Sequence, residues 1–170
     1  VIGGRGAVQA ALVKLESLLP ASFAKVGAAQ VQGSIAAGGH ALFQLSSPLE
    51  RCILGFKYWW TEPTPAGVVD SQYYWTENHQ IIFLANEYVA GQTFADTTFT
   101  NDGRTGTQHQ RHAQERLKLW FDWRARYGFS EWLSNVYWSE DFKGLLLLAE
   151  FAKDPALARR ASMALDMMFV

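Results

Sequence analysis

At 170 residues, 49% of them hydrophobic and 18% charged, the chain is long enough for one domain with a sizeable core and too apolar to be disordered. A formal net charge of -1 with no long basic run supplies no phosphate-neutralising patch, which argues against a nucleic-acid binder. The longest apolar run, Leu145 to Ala149, is far shorter than a bilayer span, so a soluble chain with no membrane partner is expected.

The predicted elements are almost all helical. Val8, Leu12, Leu15 and Leu19 recur at helical spacing over 7–19 until Pro20 stops them. Residues 20–46 are rich in Ala, Gly and Ser; a loose helix near 21–31 followed by a loop is the best fit. Ser47-Pro48-Leu49-Glu50 has a cap, a proline at the first helical position and a glutamate three residues on. Leu49, Cys52, Ile53, Phe56 and Trp60 then form one stripe, and Pro63 and Pro65 end the helix. Thr76 caps the next, with Ile81, Leu84, Ala85 and Tyr88 facing inward and Gly91 closing it. A polar loop over 92–104 leads to a long helix from about 107 to 127, with Leu117, Trp120, Phe121 and Arg124 in step, capped by Gly128. Ser139 starts a helix ending near Ala152, and Asp154-Pro155 caps and opens a last one.

Alternation is short everywhere, so little reads as strand. The expected fold is all-α, built of antiparallel helical hairpins, with 1–170 forming a single helical domain or a fragment of a larger one. The chain begins at Val1 and ends at Val170 within an apolar helical run, and both ends read as cuts in a longer chain. Cys52 is the sole cysteine, read as core filler rather than a nucleophile. No metal or cofactor is expected: Gly38-Gly39 lacks the phosphate-loop pattern, and Asn101-Asp102-Gly103-Arg104 is a turn without the later ligands of a calcium loop. His109 and His112 have ligand spacing, but their neighbours Gln108, Gln110 and Arg111 favour a solvated face.

One short pattern recurs, an aromatic residue followed by Trp, Thr or Ser, and Glu: Trp59-Trp60-Thr61-Glu62, Tyr74-Trp75-Thr76-Glu77 and Tyr137-Trp138-Ser139-Glu140. It has a structural explanation, in which the hydroxyl caps a helix, the acid meets the helix dipole and the aromatic pair packs outside. It also has a functional one. Indole faces stack on sugar rings, while carboxylates bind hydroxyls or move protons. Glu77-Asn78-His79-Gln80 adds polar groups within one helical turn; His79 is either a general base or a surface residue, and Asn78 can donate to a carboxylate or oxyanion. The connector 129–141 holds Glu131, Glu140, Asp141, Asn135, Tyr137, Trp132 and Trp138, an aromatic and acidic content suited to a ligand.

Asn78-His79 at a helix start, within an aromatic helical-hairpin chain, resembles the Asn-His motif of the (α/α)-toroid polysaccharide lyases, such as alginate lyases. The resemblance implies part of an (α/α) toroid and a carbohydrate-active enzyme that cleaves a uronate-containing polysaccharide by β-elimination. His79 or Tyr74 would then take the proton, and Asn78 and Arg104 would neutralise charge. The same toroid carries glycoside hydrolases, and Glu77 stands where an alginate lyase has another Asn. The alternative is therefore hydrolysis by Glu77 and Glu140 as paired carboxylates. Trp75, Glu131, Asn135, Tyr137, Trp138 and Asp141 complete the expected contacts with a polysaccharide or oligosaccharide. A third reading is a non-catalytic helical scaffold or glycan-binding module. The up-down-up order further predicts that the helices starting near Thr76 and Ser139 begin on one rim.

Overall fold

A computed structural model of the chain describes residues 48–132 and 134–169. The helices expected over 7–19 and 21–31 lie outside them, as do Ser47 and the Gly38-Gly39 pair. Among the described residues the elements are α1 (Pro48–Leu54), α2 (Glu77–Thr93), α3 (Gly106–Tyr127), α4 (Trp138–Phe151) and α5 (Pro155–Met168), with no strand beyond an isolated Thr98–Thr105 bridge. The fold is all-α. None of these helices is long and apolar enough to cross a membrane. Leu54–Val170 forms one compact unit.

The four long helices pack as expected from their apolar stripes. Ile81, Leu84, Ala85 and Tyr88 on α2 are all buried, against Leu117, Trp120 and Phe121 of α3 and Leu145 and Leu148 of α4. Fully burying such a side chain contributes about 1.5–3 kcal/mol, and this is what holds α2 at the centre. The side-chain pairings give the directions. Arg124, in the last turn of α3, meets Glu77 in the first turn of α2, so α2 and α3 are antiparallel. Gln92 near the end of α2 donates to the Phe151 carbonyl at the end of α4, while Ile81 lies against Gly144, so α2 and α4 run parallel. Their N-termini therefore share one end of the unit. α5 returns along α4, with Phe169 edge-on to Phe142.

Local chemistry sets the boundaries, and in several places it moves them. Thr105 caps α3 through a reciprocal pair with Gln108, and Gly128 closes that helix at φ 73°, a left-handed conformation suited to glycine. Asp154 accepts from the Ala156 N–H ahead of Pro155, as anticipated. α1 is shorter than its stripe predicts. The Leu54 carbonyl accepts from Thr100 and Asn101, and the Tyr58 N–H donates to Glu62, so the next helical bond is never made. Cys52 is correspondingly exposed and is no core filler; Leu54 takes the inward position. Trp60 is exposed too. Gly91 does not close α2, which runs on to Thr93. It lies where α3 crosses, and a Cβ there would stand 2.5 Å from the Gln110 nitrogen. Tyr137, not Ser139, holds the cap position of α4; Ser139 is already in the first turn, donating to the Val136 carbonyl.

Candidate functional site

A cleft of about 690 Å³ opens beside the shared end of α2 and α3. Trp59, Trp75, Trp120 and Trp123 line it, with Glu77, Gln80, Glu115, Arg116, Arg124 and Ser130 as its polar groups. Trp120 is buried and donates its indole N–H to the Glu77 carbonyl, whereas Trp75 and Trp123 are exposed and present indole surface to solvent. The Arg116 guanidinium lies 5.2 Å from the Trp59 ring centre. Of the expected contacts, Trp75 and Glu77 take part. Trp59 belongs to the first copy of the recurring pattern and Arg124 to the stripe of α3, but neither was expected at the site; Trp123, Arg116 and Ser130 were not expected there either. Their signal was present: Leu119 and Trp123 are four apart on α3, off the buried stripe, and both are exposed. A core has no use for that second apolar line.

Glu77 forms an ion pair with Arg124, and its Oε2 accepts from both the Ser130 N–H (2.8 Å) and hydroxyl (2.6 Å). Glu131 and Asp141 complete the group: one oxygen each from Glu77, Glu131 and Asp141 falls within 4.8 Å of the others. Asp141 is fully buried. Burial first, and the Glu131 carboxylate second, push its carboxyl up to about 7. Burial raises Glu131 as well and lowers Arg124. The acid brought to Glu77 is thus Asp141 rather than Glu140, which sits on the outside of α4 paired with Lys143. An α-helix turns about 100° per residue, so neighbours in sequence face different surroundings.

The Asn78-His79 pair points elsewhere. Thr76 sits at the cap position, yet its hydroxyl meets the side-chain Oδ1 of Asn78 (2.8 Å) and Nδ1 of His79 (2.5 Å) in the first turn instead of a backbone N–H. The Asn78 oxygen also lies 3.2 Å from that ring nitrogen. The Nδ1 of His79 thus faces two oxygens, and its Nε2 is bound by neither. Tyr73 touches both Trp75 and His79, edge-on. Tyr74 is buried, with its hydroxyl 3.4 Å from Asp70; burial and Asp70 push it up to about 12, so it keeps its proton at neutral pH.

Arg104 is committed elsewhere. Its guanidinium binds Asp102 and Glu62, away from the cleft. Around it lies a buried network that the sequence misjudged. His109 is fully buried, with Nδ1 2.8 Å from Glu87 and Nε2 3.2 Å from Asp102, and His112 Nδ1 lies 2.9 Å from the same Glu87. The solvated face belongs to Gln108 and Arg111; His109 is in phase with Ala113, Leu117 and Trp120 on the buried side. Burial raises Glu87, but bonds from both imidazoles outweigh it, and the carboxyl lies below its ordinary value. Burial likewise raises Asp102, and the Arg104 N–H and guanidinium more than reverse it. Glu62, Glu87 and His112, and Glu62, Asp102 and His109, also bring ligand atoms within 4.8 Å. Trp138 packs on Phe129 and Trp132, and Asn135 and Tyr137 are exposed; none of them lines the cleft.

Compared with known proteins, the chain matches no family model, no curated protein and no solved structure.

Proposed function

We propose that the chain is carbohydrate-active and holds a uronate-containing polysaccharide against the indoles of the cleft, for cleavage by β-elimination. The observation that carries this reading is the exposure of Trp75 and Trp123 on a cleft that also contains Arg116. Indole faces take the apolar faces of sugar rings, and guanidinium groups pair with carboxylates. His79 is the group for the proton step, with its Nδ1 engaged by Thr76 and Asn78 and its Nε2 bound by neither. Asn78 is buried and oriented by Thr76. The part-toroid architecture belongs to the same reading.

Hydrolysis by Glu77 and Glu140 draws less support. Each is bound by a different cation, Arg124 inside and Lys143 outside. A glycan-binding module without cleavage is the second reading, favoured because His79 is not among the residues that line the cleft. Binding of alginate, polygalacturonate and a neutral glycan is measured by calorimetry, and cleavage by ultraviolet absorbance of the unsaturated product. The lyase reading expects both, with Trp75→Ala weakening binding and His79→Ala removing product alone. Binding without product supports the binding module. No binding to any of these glycans overturns both.

A further inference from the structure

We infer that Glu77, Glu131 and Asp141 form a binding site for a hard divalent cation, Ca²⁺ being the best match, between the first turns of α2 and α4 and the loop after α3. The inference does not depend on the carbohydrate reading. Its first ground is proximity. Ligand oxygens from the three carboxylates lie within 4.8 Å of one another, and oxygens at the usual Ca²⁺ distance of about 2.4 Å stand at most about 4.8 Å apart across the ion.

The second ground is independent of proximity. Asp141 is fully buried and Glu77 is 6% exposed. Both oxygens of Asp141, Oε1 of Glu77 and Oε2 of Glu131 are buried without a hydrogen bond, as are Nε and Nη1 of the neighbouring Arg124. Buried carboxylate oxygens without donors are rare and costly, and a bound ion is one of the few things that accounts for them. The Glu62–Glu87–Asp102 network makes the contrast. Its carboxylate oxygens all accept from Arg104, His109, His112 or backbone N–H groups, so it needs no cation.

Charge points the same way. Three carboxylates share one guanidinium, Arg124, and are left with excess negative charge once more than one of them is ionised; a divalent cation offsets that excess. An all-oxygen donor set without imidazole or thiolate selects Ca²⁺, Mg²⁺ or Mn²⁺ over zinc or copper, and irregular carboxylate geometry suits Ca²⁺ most.

The test uses the full chain after chelator treatment, titrated with Ca²⁺ by calorimetry and with Tb³⁺ by indole-sensitised luminescence. Trp120, bonded to the Glu77 carbonyl, is the nearby sensitiser. Saturable Ca²⁺ uptake is expected, with a higher Tm and displacement of Tb³⁺ by Ca²⁺. Asp141→Asn and Glu131→Gln each remove one charged ligand and should weaken binding about tenfold or more, while Glu150→Gln, on the exposed far end of α4, should bind like the unaltered chain. Glu131 is only half-buried in a loop, so its variant tests the site even if Asp141→Asn fails to fold. Absence of Ca²⁺ and Tb³⁺ uptake by the unaltered chain overturns the inference, as does unchanged binding in Glu131→Gln.

Discussion

Glu77, in the first turn of α2, and Arg124, in the last turn of α3, form a buried ion pair at the floor of the indole cleft. Ser130 adds two donors to the same carboxylate. The pair ties the ends of two antiparallel helices together where the aromatic walls begin. Removing one partner of such a pair leaves the other charge buried, at a cost of roughly 3–5 kcal/mol. Glu77→Ala should therefore lower stability by an amount in that range, measured by urea unfolding. A loss below about 0.5 kcal/mol, typical of surface sites, would show that Arg124 finds full compensation in Glu131 and Asp141.

The crossing of α2 and α3 depends on absent side chains. Gly91 would bring a Cβ to 2.5 Å from the Gln110 nitrogen and 2.6 Å from the Gly106 oxygen, both backbone atoms that cannot swing away. Alanine is worth about 1 kcal/mol over glycine inside a helix, but overpacking costs about 1–3 kcal/mol. The clash should win. Gly91→Ala is expected to lower the Tm; a rise would mean that the two helices part easily.

The tryptophans of the cleft divide into structural and ligand-facing. Trp120 is 4% exposed and Trp75 is 69% exposed. Trp120→Ala should cost about 3–5 kcal/mol in stability. Trp75→Ala should stay within about 0.5 kcal/mol and weaken glycan binding about tenfold, or 1.4 kcal/mol. Thermal unfolding and calorimetry on the same two variants check both halves. Equal loss of stability in the two would remove the distinction.

The Glu87 network gives a pH dependence with a definite sign. Glu87 lies below its ordinary value of 4.5 in the folded chain. It binds protons less readily folded than unfolded, so its contribution is present above about pH 4.5 and is lost as pH falls through the folded value. Glu62, raised by burial and by Glu87, acts with the opposite sign. The difference between the unaltered chain and Glu87→Gln isolates the Glu87 part. That variant should lose about 1–3 kcal/mol at neutral pH, and the gap should narrow as the pH drops below 4.5. A gap constant from pH 7 to pH 3 would refute the assignment.

Much of the fold is legible in the amino-acid sequence, because helix burial has a period and periods are local. Ile81, Leu84, Ala85 and Tyr88 mark the inner face of α2, Leu117, Trp120 and Phe121 that of α3, and Asp154-Pro155 and Gly128 mark ends, all without reference to any other part of the chain. The alternating directions of successive helices likewise bring the starts of α2 and α4 to one end. What no local pattern contains is the partner. Whether an acid beside a helix start meets solvent, a cation or another acid depends on which neighbour crosses there and at what rotation. Glu140 and Asp141 are adjacent in sequence, yet one pairs with Lys143 outside and the other is buried with Glu131 and Glu77. His109 and His112 stand among the polar neighbours of a solvated face and instead meet Glu87, which only the packing of α2 on α3 delivers. Tertiary structure alone decided the gathering of charge, since electrostatic partners are chosen by distance in space, over which sequence separation has no hold.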